Sequence, residues 1–109
     1  MTNSTIEQLY RHSSIRRYKP DPISLEQIKT IVAAAQRSST SSNLQLYSAV
    51  VVTDDEKRNR LSILCGDQEH IRQAPVFIAW CADLSRLERV CNDRGYEIES
   101  SYVENVLVS

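Results

Sequence analysis

A cluster of basic and hydroxylated residues near the N-terminus has the clearest chemical potential in this chain. Residues 11–19, here called the basic corner, contain two serines, one histidine and four cations. The cations are Arg11, Arg16, Arg17 and Lys19. Charge-assisted hydrogen bonds from such groups suit a small dianion such as a phosphate monoester. We therefore interpret the basic corner as an anion-binding segment, and the alternative is a solvated basic turn.

The overall charge limits the partners of the protein. Its 109 residues carry 13 basic and 14 acidic side chains, for a net charge of −1, and 41% of the residues are hydrophobic. These values are typical of one soluble globular domain. They argue against a general nucleic-acid surface and against a polybasic membrane anchor. No apolar run approaches the roughly 20 residues that a membrane-spanning helix needs.

Cysteine and glycine usage exclude further classes of site. The polar N-terminus predicts no signal peptide, so Cys65, Cys81 and Cys91 are expected to be reduced thiols of a cytoplasmic protein. Their spacing does not match a metal site. We expect each to be a core or incidental residue rather than a redox group or nucleophile. Gly66 and Gly95 are the only glycines, which excludes a glycine-rich dinucleotide fingerprint.

Caps and apolar periodicity predict an α+β fold. Capping boxes at Ser4–Glu7 and Ser24–Gln27 and a cap at Asp54 open three helices, the second ending near Arg37 and the third at Gly66. Apolar strands are predicted at 46–53 and 75–82. The remaining predicted elements are a short turn or helix at 68–73, a helix at 84–90 and a loop at 93–95.

The same patterns predict which side chains are buried. On the helices these are Ile6, Leu9, Tyr10, Leu25, Ile28, Ile31, Val32, Ala35, Leu61 and Leu64. On the strands they are Val50, Val51, Val52 and Trp80.

A third capping box, Ser101–Glu104, opens an almost wholly apolar end of the chain. About seven residues cannot hold an isolated helix, and two strands with several amphipathic helices make a thin core. We therefore predict that residues 1–109 are the front of a larger domain, cut at the start of its central helix. The alternative is a short C-terminal docking helix.

Five short motifs follow one another along the chain, at 12–16, 22–24, 41–45, 66–70 and 80–83. Their order resembles the FMN-dependent nitroreductase family, in its branch of NADPH-preferring flavin and nitro reductases. His-x-Ser-Ile-Arg at 12–16 follows a first helix, and Pro-Ile-Ser at 22–24 opens a second. Ser-Ser-Asn-Leu-Gln ends at residue 45, and Gly-Asp-Gln-Glu-His covers 66–70. The second strand ends in Trp-Cys-Ala-Asp at 80–83. The resemblance runs from Ile6 to Ser109 and implies a nitroreductase-like fold that forms a homodimer.

The resemblance also implies which residues hold FMN. His12, Ser14 and Arg16 match positions that receive the phosphate and part of the ring, and Ile15 lies between them. This branch often has arginine where Ser13 stands, so one phosphate cation is missing, and Arg11 or Arg17 is the candidate replacement. Thr40 matches a loop that reaches the flavin of the other subunit. The segment Gln68, Glu69 and His70 matches a loop at the pyrimidine edge of the ring.

The implied chemistry is hydride transfer from NADPH or NADH to a nitroaromatic, a quinone or free flavin. FMN supplies the transfer, and the protein supplies binding, orientation and electrostatics. Arg16 near the pyrimidine edge would stabilise reduced flavin, and the Gln68 amide offers both a donor and an acceptor. No side chain is implied as a nucleophile or general base.

Alternatives remain open at the level of residues and of the chain. Arg16 could be a surface salt-bridge partner, His70 a solvated helix residue and Gln45 a backbone cap. The second half of the family, with its further flavin and phosphate contacts, cannot lie within residues 1–109. The chain is therefore interpreted as a fragment of an FMN reductase, inactive by itself. The two alternatives are a small reductase completed by a second polypeptide and a non-enzymatic oligomerising module.

Overall fold

The computed structural model of the protein describes residues 2–96. Within them it contains five α-helices, one short 3-10 turn and two β-strands. In chain order these are α1 Ser4–Tyr10, α2 Leu25–Ala35, the 3-10 turn Ser41–Asn43, β1 Tyr47–Val52, α3 Asp55–Leu64, α4 Glu69–Gln73, β2 Phe77–Ala82 and α5 Ser85–Asp93. The predicted capping box and helix at 101–109 lie outside the described residues.

The helix starts follow the caps, with one correction. The Ser24 hydroxyl accepts from the backbone N–H of Gln27, and the side-chain oxygen of Gln27 accepts from the backbone N–H of Ser24. The predicted capping box therefore forms. Asp54 caps α3 through the Lys57 amide at 2.8 Å. The predicted box at Ser4–Glu7 is wrong: Asn3 is the N-cap of α1 and accepts from the Ile6 amide at 3.0 Å. Both residue types cap well, and the chain starts the helix one residue earlier.

The sheet is a single antiparallel pair. β1 and β2 are hydrogen-bonded in a register that runs from Tyr47 opposite Ala82 to Val52 opposite Phe77. The chain reaches β2 from β1 through α3 and α4, not through a hairpin. The predicted strands at 46–53 and 75–82 are confirmed with ends trimmed by one or two residues, and so is the α+β class.

The core is thinner than the apolar pattern predicts. Ile28 on α2, at 5% exposure, is the one fully buried apolar side chain among residues 2–96. Burial is predicted wrongly for most of the other apolar positions, which remain at least one third exposed. These are Ile6, Leu9, Tyr10, Leu25, Ile31, Val50, Val51, Leu64 and Trp80. The periodicity marks an apolar face correctly, but a face is buried only where another element packs on it.

No helix within the described residues has the length and apolar character needed to cross a membrane.

Candidate functional site

The basic corner has no regular secondary structure and lies wholly at the surface. Its shape is fixed by one internal hydrogen bond, from the Tyr18 hydroxyl to the Ile15 carbonyl at 2.8 Å. Within residues 2–96, none of its four cations has a carboxylate within 4.0 Å. The positive charge of the corner is therefore not neutralised by the described part of the chain.

The second predicted segment begins at the turn between α3 and α4. Gly66 and Asp67 both have positive φ, at 91° and 57°, which closes the C-terminus of α3. The backbone N–H of Gln68 donates to the Ser62 carbonyl, and the Gln68 side-chain Nε2 donates to the Cys65 carbonyl, both at 3.1 Å. Because a primary amide has two N–H groups and one oxygen, Gln68 keeps a donor and an acceptor for another partner.

Arg72 fixes the acidic side chains of this turn. Its guanidinium donates to Asn59 Oδ1 at 2.8 Å and to Glu69 Oε2 at 3.1 Å, and it also pairs with Asp67. The hydrogen bond to Asp67, and then the one to Glu69, raise the pKa of Arg72 above its ordinary value. The Glu69 side chain is therefore held by Arg72 of the same helix, and its negative charge is opposed by the guanidinium.

Arg58 anchors the same turn from inside α3. Its side chain is buried, at 8% exposure for the residue, and donates to the carbonyls of Arg72, at 3.0 Å, and of Ala74. It also pairs with Asp55, which is largely exposed. Sequence reasoning missed Arg58. The available signal was its helical spacing from Leu61 and Ser62, which places it on the inward face of α3.

Tyr18 brings the two predicted segments together. Its ring lies against the imidazole of His70, with centroids 6.4 Å apart and planes tilted by 49°. Both rings line one groove of about 420 Å³, whose apolar walls come from Ile23 and from residues 71–78 around the start of β2. Tyr18 of the basic corner is thus in contact with His70 of the second predicted segment.

Thr40 lines a different groove, of about 250 Å³, beside Ala35, Tyr47 and Trp80. The Thr40 hydroxyl accepts from the Gln45 amide at 3.3 Å and so closes its own loop. That loop holds three non-glycine residues with positive φ: Ser42, Asn43 and Gln45. Thr40 is thus not assembled with the other predicted ligands within this chain.

The loop that carries Thr40 is held at the end of the sheet where Tyr47 pairs with Ala82. Arg86 donates to the Gln45 carbonyl at 3.2 Å, and the Asp83 carboxylate accepts from the Ser48 hydroxyl and from the Ser85 amide. The bond from Ser48, followed by those from Ser85, lowers the pKa of Asp83 to about 2. Sequence reasoning gave no role to Ser48, Ser85 or Arg86.

Comparison with known proteins places this geometry in a family. The model of the Nitroreductase family matches residues 9–68 of the chain, more than half of its length. The chain belongs to the nitroreductase family. The matched range includes the whole predicted set from His12 to Gln68, whereas Glu69 and His70 lie just beyond it.

Individual members of the nitroreductase family support the assignment. The chain is 40% identical over 103 residues to an FMN reductase (NADPH) of Bacillus subtilis, covering 94% of this chain and 41% of that protein. It is 42% identical over 89 residues to an oxygen-insensitive NADPH nitroreductase of Salmonella typhimurium, covering 82% and 37%. The solved structure of Bacillus megaterium NfrA2 superposes with a TM-score of 0.92 at 32% identity, covering 98% and 44%. The chain therefore has a nitroreductase-like fold and spans less than half the length of these relatives.

Proposed function

We propose that residues 1–109 form the N-terminal part of an FMN-dependent oxidoreductase that uses NADPH or NADH to reduce a nitroaromatic, a quinone or free flavin. The names of the B. subtilis and S. typhimurium relatives support this reaction class. The thin core and the coverage of about 41% of the B. subtilis relative support a longer domain. One observation of this chain carries the proposal: the basic corner, whose cations have no carboxylate partner among the described residues, contacts His70 through Tyr18.

The phosphate of FMN fits the donors of the basic corner. Arg16 would supply a charge-assisted hydrogen bond, with His12, Ser13 and Ser14 as further donors and with the Ile15 segment as the backbone support. No described carboxylate competes for Arg16. The side chains are at the surface, so a dianion reaches them without disrupting packed structure.

The turn at 68–70 suits the polar edge of a flavin. The free donor and acceptor of the Gln68 amide complement a ring that carries both kinds of group. The negative charge of Glu69 would by itself disfavour reduced flavin, which carries extra electron density. The ion pair with Arg72 opposes that charge. Bound FMN would supply hydride chemistry, and no side chain of this chain is assigned a role as nucleophile or general base.

The proposal includes a cytoplasmic homodimer. The Thr40 loop is closed by its own hydrogen bond but lies on another groove, which suits a loop that serves the flavin site of a partner subunit. Apolar side chains left exposed on α1, α2 and β1 favour coverage by further protein.

The test is ligand affinity of the purified protein and its variants. Arg16→Ala should weaken binding of FMN and of inorganic phosphate by about 10- to 150-fold, the equivalent of a charged hydrogen bond worth about 1.5–3 kcal/mol. Arg17→Ala is the comparison and should weaken binding less than Arg16→Ala does, because neighbouring side chains of an extended segment point in opposite directions.

Equal affinities of Arg16→Ala and the unmodified protein would reject the phosphate site. The 109-residue chain by itself should oxidise NADPH no faster than free FMN does. Saturable, protein-dependent oxidation by that chain would instead make it a complete small reductase.

A further inference from the structure

Tyr18 makes contact with both halves of the proposed flavin site. Its hydroxyl is bonded to the Ile15 carbonyl in the basic corner, and its ring packs on His70 of α4. We propose that Tyr18 is a positioning residue that couples the phosphate-binding corner to the turn at 68–70. This inference rests on the proposed function, because it assumes that the corner binds a phosphate group.

The hydroxyl acts through the peptide that joins Ile15 to Arg16. In a planar trans peptide the C=O and the following N–H point in opposite directions. When Tyr18 holds the Ile15 carbonyl, it therefore fixes the Arg16 N–H in the direction opposite to that carbonyl. Among the described residues that N–H has no acceptor, so it is presented to solvent beside the Arg16 side chain. An anion on the corner would receive a backbone bond as well as the guanidinium.

The ring acts through its contact with His70. The separation of 6.4 Å and the tilted geometry are those of a favourable aromatic pair. Tyr18 is 43% exposed, and its hydroxyl ties the ring to the backbone of the corner. A change in the backbone at 15–16 is consequently transmitted to the imidazole. One residue thus sets the relative position of the phosphate contacts and of the pyrimidine-edge contacts.

The experiment is a titration of the purified chain with inorganic phosphate, followed by NMR at constant pH. The amide signals of residues 12–16 and the ring signals of His70 should shift along one common binding curve. In Tyr18→Ala the corner should still respond, whereas the His70 response should be lost. Tyr18→Phe keeps the ring but loses the bond to the Ile15 carbonyl. Phosphate should bind it about fivefold more weakly, because the Arg16 N–H is no longer held to give one neutral hydrogen bond, and the His70 response should be weaker than in the unmodified chain.

Tyr10→Ala is the matched control, because Tyr10 is an exposed tyrosine just before the same corner. It should leave both responses unchanged. A general loss of structure would alter all signals together and would not separate the two responses, and Tyr18→Phe tests the proposal even if Tyr18→Ala fails to fold.

Two results would overturn the inference in different ways. If the corner responds and His70 does not, or if His70 still responds in Tyr18→Ala, coupling through Tyr18 is wrong while the phosphate site stands. If phosphate shifts neither segment of the unmodified chain, the proposed phosphate site fails and the coupling fails with it.

Discussion

Arg58 is the side chain whose removal we expect to damage the fold most. Arg58→Ala deprives the carbonyls of Arg72 and Ala74 of their buried donor. Each bond to a charged group contributes about 1.5–3 kcal/mol. The ion pair with Asp55 adds about 0.5 kcal/mol or less, because Asp55 is 92% exposed. Arg58 Nε is buried without a partner among the described residues, which destabilises the folded chain. Because Arg58→Ala removes this unsatisfied group, the loss of stability is reduced by about 1 kcal/mol. The net expected loss is about 2–5.5 kcal/mol.

The assay is urea denaturation followed by far-UV circular dichroism. Arg60→Ala is the matched control, because Arg60 lies on the same helix and is exposed. Its free energy of unfolding should stay within about 0.5 kcal/mol of the unmodified chain, which is normal for a surface substitution. Asp55→Asn should behave similarly. A free energy for Arg58→Ala within about 0.5 kcal/mol of that for Arg60→Ala would show that the buried guanidinium does not anchor the turn.

Two further predictions concern pH and association. Because folding lowers the pKa of Asp83 from its ordinary value near 3.8 to about 2, its stabilising contribution is complete above pH 4 and is lost as the pH falls towards 2. Asp83→Asn should remove that part of the acid sensitivity of unfolding, and the control Asp21→Asn should not. An NMR titration that gives Asp83 an ordinary pKa would contradict this prediction. The exposed apolar side chains of α1, α2 and β1 should drive self-association at micromolar concentration; sedimentation as a stable monomer would count against it.

Local signals in the sequence predicted the elements well. The Ser24–Gln27 box, the Asp54 cap and the two apolar strands each depend on residues close together in the chain, and each is confirmed. Burial could not be predicted in the same way. Trp80, expected in the core, is 50% exposed, and Leu64 is 80% exposed, because no element of the described part packs over them sufficiently.

The site shows the same division. The residue types at 12–16 and 68–70 identified two candidate segments, and the family match covers the first of them. Their connection through Tyr18 depends on a tertiary contact that leaves no periodic signal. Helical spacing marks Arg58 as inward-facing, but it does not reveal the bonds to the carbonyls of Arg72 and Ala74. The positive φ angles of Ser42, Asn43 and Gln45 were also unpredictable, because these residue types adopt several backbone conformations.

The path of the chain between the two strands has a consequence for folding kinetics. β1 and β2 are neighbours in the sheet, but α3 and α4 lie between them in the sequence. Closing a loop costs chain entropy, and the cost is smaller when the intervening chain is already ordered. We therefore expect α3 and α4 to associate first around Arg58, followed by strand pairing that spreads from Val52–Phe77 towards Tyr47–Ala82. The turn that presents Gln68 would then belong to the folding nucleus, so substitutions there should slow folding more than they speed unfolding.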